Sequence, residues 1–259
     1  MEYPKTSLVA NGLLAVAETG STNQDLLALA ASNQHPEFFT LITEFQTAGR
    51  GRLDRKWQAA SGSSVMASVL LRPSFKEDEG IGWLTLVMAE AIKTALAEVG
   101  IESKIKWPND VLVNGQKISG ILAEANSDLS AVVVGFGINV NQSAQELPTG
   151  SATSLLVEGA TNLDRDSLLA RTLSHFQHLY LDLVEAGGDA VASGLRARII
   201  EASATIGELV EVLFPDGSSA IGEAIGIDEG GRLQVLSATK TLTVSAGDVL
   251  HLRTAKWED

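Results

Sequence analysis

Arg50, Arg52, Arg55 and Lys56 crowd into the stretch FQTAGRGRLDRKW, with Gly49 and Gly51 beside the first two arginines. A guanidinium presents a planar fork that fits carboxylate and phosphate oxygens. Glycines let the main chain take up left-handed conformations and bring its N–H groups close to a ligand. Together they suit the gathering of anionic oxygens on something small. The stretch is not a Walker loop, because no G-x-x-x-x-G-K-[ST] occurs, and Asp54 stands where G-x-G-x-x-G needs its last glycine. A solvated, charged surface loop is the alternative that composition alone leaves open.

A second cation, Lys106, opens the stretch KWPND. Pro108 stops regular pairing beyond Trp107, so the lysine sits at a strand end beside a bulky anchor. A lysine fixed in this way neutralises an anion with little ordering entropy left to lose. An exposed lysine next to a turn whose tryptophan packs in the core is the plainer reading. Lys117 lies across the Asn114-Gly115 turn and could face the same side. Ser21, Thr22 and Asn23 follow Gly20 at a helix start, where hydroxyls and unpaired N–H groups favour polar ligand heads. Helix capping explains Ser21 or Thr22 equally well. In GFGINVN, Gly135 and Gly137 permit close approach and Asn139 and Asn141 offer amides; a strand ending in a turn reads the same. Trp57 could stack on a ring or anchor the basic loop.

These side chains need a frame. LLAVAETGSTNQDLLALAAS reads as strand, turn and helix, with Ser21 or Thr22 as N-cap and Gln24 or Asp25 completing a capping box. FFTLITEFQ and SVMASVLLRP read as strands on either side of the basic loop. Residues 80–99 carry one apolar stripe, Leu84, Val87, Met88, Ala91, Ile92, Ala95, and end at Gly100, which predicts a helix. Asn-Gly between two apolar runs predicts a hairpin at 114–115, and LSAVVVGFGINVN a buried strand. Residues 164–186 predict another amphipathic helix. Beyond about residue 204, short runs alternate with turn signals at the spacing of a small five-stranded β domain. The expected architecture is α+β, a mixed or antiparallel sheet with helices over 1–203, then a small barrel over 204–259.

The chain has 259 residues and a net charge of −13, which argues against generic binding of nucleic acid or an anionic membrane. It has no cysteine, and so no disulfide, thiolate nucleophile or cysteine zinc site. The N-terminus lacks a leader pattern and no apolar run is long enough to span a bilayer, so a cytoplasmic location is expected. His175 and His178 stand three apart on the second long helix with no carboxylate or further histidine set nearby, and no metal ligand is assigned.

In this order, STN, FQTAGRGR followed by KW, KWPNDV…KISGIL and GINVN resemble bacterial biotin protein ligases of the monofunctional type, over residues 18–142, and the small β tail fits them too. The resemblance implies a catalytic fold akin to class II aminoacyl-tRNA synthetases and lipoate ligases, followed by an SH3-like domain. It implies that biotin and ATP give biotinyl-5′-AMP, with Mg²⁺, and that a lysine of a biotin carboxyl carrier protein then takes the biotinyl group. Carried over residue by residue, Ser21, Thr22, Asn23 and Gln46 would hold biotin, and Arg50, Gly51 and Arg52 would cover the adenylate. Lys106 would be the main catalytic residue, beside the carboxylate and α-phosphate. Trp57, Arg52, Asn109, Lys117 and Asn139 would border the nucleotide. Where many members read Arg-Gly after GRGR, this chain reads Leu53-Asp54, which stiffens the loop and adds an anion. Only about a dozen residues precede the first strand, so no operator binding is expected; pairing of two copies through sheet edges stays open. The rival readings are a lipoate ligase and a catalytically silent biotin-binding module. A biotinylated carrier is excluded, since no Met neighbours a Lys.

Overall fold

The structure, a computed structural model, describes residues 2–251 apart from 33, 53, 54, 76–79, 149, 162, 215, 246 and 247. Leu53-Asp54 and residues 252–259 therefore lie outside the described residues. Seven strands form the large sheet: β1 Leu13–Thr19, β2 Thr40–Gln46, β3 Ser64–Leu71, β4 Lys104–Lys106, β5 Asp110–Val113, β6 Gln116–Ala125 and β7 Val132–Asn139. Their order is β1-β2-β3-β7-β6-β5-β4. Only β1 and β2 are parallel; the other pairs run antiparallel, so the sheet is mixed. The β5–β6 turn is the Asn-Gly hairpin, with φ of 50° at Asn114 and 77° at Gly115, the pair of positive angles such a turn requires.

Side chains alternate across a strand, so the sheet has two faces of different character. On one, Val65, Ala67, Val69 and Leu71 of β3 and Val134, Phe136 and Ile138 of β7 are buried. Two helices, α2 Leu84–Ala97 and α3 Arg165–Glu185, cover that face with Leu84, Val87, Met88, Leu173, Phe176 and their neighbours in one core. α2 is preceded by a 3-10 turn, Ile81–Trp83, that buries the Trp83 ring, so the regular helix starts at Leu84, the first residue of the apolar stripe, rather than at residue 80. The other face carries one short helix, α1 Thr22–Ala30, whose Leu26 and Ala30 pack on Leu41, Leu70, Ala131 and Val133. Beyond α1 that face opens.

Tyr3 and Arg165 of α3 brace the C-terminal end of β2 through Glu44. Tyr3 Oη donates to Glu44 Oε1 at 2.8 Å and Arg165 NH1 to Oε2 at 2.6 Å. Burial alone would raise the Glu44 carboxyl, but the hydrogen bonds from Arg165 and Tyr3 outweigh it and hold the group below the usual range. Gln46 follows two residues on, at the end of the same strand.

A further helix, α4 Leu195–Glu201, which sequence periodicity did not suggest, starts after Gly194 at φ +75° and leads into the tail. The tail is a five-stranded antiparallel, SH3-like sheet of β8 Leu209–Leu213, β9 Ser219–Ile227, β10 Leu233–Leu236, β11 Thr241–Val244 and β12 Asp248–His251, ordered β11-β10-β9-β8-β12. Val210, Val212, Ala224, Leu233 and Val235 turn inward and join the main core.

Candidate active site

The open half of the second face is floored by residues without side chains. Register pairs Gly120 of β6 with Gly137 of β7, and Leu122 with Gly135. A Cβ on Gly137 would come 2.3 Å from the Trp57 ring, and one on Gly135 would come 2.0 Å from Asn23 Oδ1. The glycines of GFG thus do permit close approach, but the groups that approach are the chain's own Trp57 and Asn23. Trp57 lies against this floor with its indole N–H buried and without an acceptor.

The start of α1 forms one wall. Ser21 has the extended backbone of an N-cap, yet its side chain caps nothing. Instead Gln46 Oε1, from β2, accepts from the Thr22 N–H at 2.9 Å and from Thr22 Oγ1 at 3.2 Å. The expected capping box is therefore replaced by a cap from another strand, and Asp25 accepts from Thr19 Oγ1 instead. Ser68 Oγ lies 2.7 Å from both Thr22 Oγ1 and Asn23 Oδ1, and Asn23 Nδ2 donates to Leu122 O at 3.0 Å. Ser21, Thr22 and Asn23 are all buried. This wall is a pre-assembled set of small donors and acceptors.

The cations come from the basic loop and from the strands around the KWPND turn. The basic loop folds on itself, Gly51 N donating to Arg55 O at 2.7 Å and Trp57 N to Gly49 O at 3.0 Å. Arg52 NH1 reaches Asn109 Oδ1 at 3.4 Å, which ties the loop to the KWPND turn. Asn109 in turn donates from Nδ2 to Ile121 O at 2.8 Å. Lys106 ends β4 and lines the same cleft as Arg50, Arg52 and the Ser21–Asn23 wall. Lys117 also lines it, paired with Asp110 at 2.6 Å. The cleft is a concave space, part of it open to solvent, lined by both polar and apolar groups, as small-molecule sites are.

The small C-terminal domain closes the rim with Val249 and Leu250 and clamps the strand end that bears Lys106. Trp107 N donates to Thr205 Oγ1 at 3.1 Å, and Trp107 Nε1 to Gly231 O at 3.0 Å. The ring is 3% exposed.

A sequence model of the biotin/lipoate A/B protein ligase family matches residues 16–139, and one of the biotin protein ligase C-terminal domain matches residues 205–252. Over 242 residues the chain is 41% identical to the biotin–[acetyl-CoA-carboxylase] ligase of Mycobacterium tuberculosis, covering 92% of this chain and 88% of that one. The chain belongs to the biotin protein ligase family. It is an ATP-dependent ligase by that membership. The family includes the bifunctional ligase/repressor BirA of Bacillus subtilis, 32% identical over 247 residues, 88% of this chain and 70% of that one. A solved biotin protein ligase from Aquifex aeolicus, in complex with biotin and ATP, matches with a TM-score of 0.79 and 28% identity, over 94% of this chain and all of that one.

Against this ligase background, the residues expected from sequence divide cleanly by place. Ser21, Thr22, Asn23, Gln46, Arg50, Gly51, Arg52, Trp57, Lys106, Asn109 and Lys117 line the cleft. Asn139 does not. It is buried one step past Gly137 on the same face of β7, donating to Thr153 O at 2.9 Å and accepting from Gln142 Nε2 at 3.0 Å. His175 sits apart on α3, 2.8 Å from Glu98. Asp110 and Glu124 were not singled out from sequence. In a chain with 32 acidic residues, two more at strand ends carry no signal of their own.

Proposed function

We propose that the cleft makes biotinyl-5′-AMP from biotin and ATP and passes the biotinyl group to a lysine of a biotin carboxyl carrier domain, with Lys106, Arg50 and Arg52 as the catalytic cations. The observation that carries this assignment is that all three, from two separate segments, line one cleft together with the polar Ser21–Thr22–Asn23 corner.

In the first step a biotin carboxylate oxygen attacks the α-phosphorus, the bond to the bridging oxygen breaks, and pyrophosphate leaves. Two like charges ~4 Å apart repel by about 4 kcal/mol at an effective dielectric of about 20. Cations already in place oppose that repulsion and the charge that grows during transfer. Lys106, anchored through Trp107, is the one suited to sit at the reacting carboxylate and phosphate. In the second step the carrier's lysine amine attacks the acyl carbon, AMP departs with the electron pair of the broken C–O bond, and the amine proton is lost. Arg50, Gly51 and Arg52 cover the mixed anhydride in between and limit its hydrolysis.

The ureido group of biotin both donates and accepts, as do the hydroxyls and amides of Ser21, Thr22, Asn23 and Gln46. Trp57, Asn109 and Lys117 border the nucleotide. The orphaned Trp57 N–H would find its acceptor there, and Asn139 would support the nucleotide side of the floor from one step past Gly137. Mg²⁺ prefers a carboxylate or two together with phosphate oxygens and water. Asp110, which faces the cleft, fits that need, and the ion would neutralise phosphate charge. We assign the chemistry to residues 1–203, assign rim and clamp to residues 204–259, and place the reaction in the cytoplasm.

The test mixes the protein with ATP, Mg²⁺, biotin and a carrier domain and reads the carrier's mass. A gain of one biotinyl group, with AMP and pyrophosphate released, is expected. A gain with lipoate in place of biotin would transfer the assignment to lipoate ligation. Biotin binding without any adenylate would make the chain a silent binder.

A further inference from the structure

The basic loop lines both the cleft and a second hollow, part of it open to solvent, whose walls include Phe45, Thr47, Gln58 and Glu146. Glu124 is placed to help fix where the loop sits. It lies on β6 two residues past Leu122, hence on the cleft face of the sheet, opposite Val133. Its Oε2 accepts from Asn23 Nδ2 at 2.9 Å, and its Oε1 pairs with Arg50 NH1 at 3.1 Å. The carboxylate is 20% exposed and the guanidinium 45%. One side chain therefore bridges the wall that would hold biotin and the loop that would cover it.

We propose that Glu124 is a positioning residue that docks the basic loop on the sheet through Arg50 and fixes the Asn23 amide with its other oxygen. Arg50 has five N–H donors, so the Glu124 contact leaves the rest of the fork for a ligand. Asn23 is constrained three ways, by Glu124, Leu122 O and Ser68 Oγ, which sets which edge of its amide meets a ligand. A carboxylate in this place links occupancy of the biotin corner to closure of the loop. The inference rests on the ligase reading above, and its first test does not depend on that reading.

In the first test, ligand-free protein is treated with trypsin and cleavage after Arg50 and Arg52 is timed. Glu124→Gln keeps an acceptor for Asn23 but loses the charge that holds Arg50. It should speed cleavage about three- to fivefold, the scale of a part-exposed ion pair. An unchanged rate overturns the docking role. In the second, release of biotinyl-5′-AMP is followed after its synthesis on the enzyme. Glu124→Gln should raise the release rate by a similar factor with little change in KM for biotin, whereas Glu124→Ala should raise both. Arg50→Ala should also raise the release rate, and adding Glu124→Gln to it should change nothing more, because the pair acts as one unit. Additive effects, or wild-type release from Glu124→Gln, overturn the coupling to closure. Wild-type protein that makes no adenylate sinks the ligase reading instead, and leaves the trypsin result to decide the docking role.

Discussion

Lys106 and the arginine loop bring the same sign of charge to the same cleft, and they are held in opposite ways. Lys106 ends a strand whose next residue, Trp107, is buried and bonded through both its nitrogens to the C-terminal part of the chain. The loop bonds to itself, lines two hollows, and meets the sheet and the KWPND turn through side chains, Arg50 to Glu124 and Arg52 to Asn109. The difference matches two chemical needs. A cation that opposes charge growing at a phosphorus must be in place beforehand, because moving it during the reaction costs reorganisation. A cover over a reactive anhydride must also be able to leave.

The sharpest way to break this contrast is Lys106→Ala. Removing a pre-placed charge should lower the rate of adenylate formation by about 10²–10³, with a far smaller change in biotin affinity; single-turnover quench kinetics and calorimetry would show both. Equal losses in rate and affinity would make Lys106 a binding residue like any other. Next is Gly135→Ala. The added Cβ would stand 2.0 Å from Asn23 Oδ1, and overpacking of about 1–3 kcal/mol predicts biotin binding weaker by about ten- to a hundredfold. Adenylate release, which depends on the loop, should change less. Third is Arg52→Ala, which should speed release of biotinyl-5′-AMP by about tenfold, the worth of one charge-assisted hydrogen bond. Stray biotinylation of surface lysines should rise with it. An unchanged release rate would remove Arg52 from the cover.

The contrast was half visible in the sequence. Trp-Pro after the short strand ending KIK marks Lys106 as a strand-end residue, and the Asn114-Gly115 signal fixes the hairpin that follows, because both rest on local backbone rules. The α2 stripe and its closing Gly100, at φ +82°, are local in the same sense. What stayed hidden depends on register between distant strands. Nothing near Glu124 says that its carboxylate will stand between Asn23 and Arg50, and nothing near Gly135 says that Asn23 will fill the space it leaves. The cap of α1 shows the same limit: Ser21 is the N-cap residue, as the local rule expects, but Gln46 supplies the capping oxygen from another strand. The parallel pairing of β1 with β2 is likewise a tertiary fact, with α1 as the crossover.

The smallest expected effect probes the fixed cation from behind. Trp107→Phe keeps an aromatic ring, though a smaller one, and removes the N–H that reaches Gly231 O across 124 residues of chain. The orphaned carbonyl should cost about 1 kcal/mol of stability, and a melting point lower by about 2–4 °C is the corresponding shift for a chain of this size. If the C-terminal domain helps hold Lys106 still, adenylate formation should slow severalfold while adenylate release stays at the wild-type rate, the reverse of Arg52→Ala. A variant that melts lower yet forms adenylate at the normal rate would show that β4 alone, through its pairing with β5, is stiff enough to place the lysine. Loss of both rate and retention together would mean that clamp and cover move as one body.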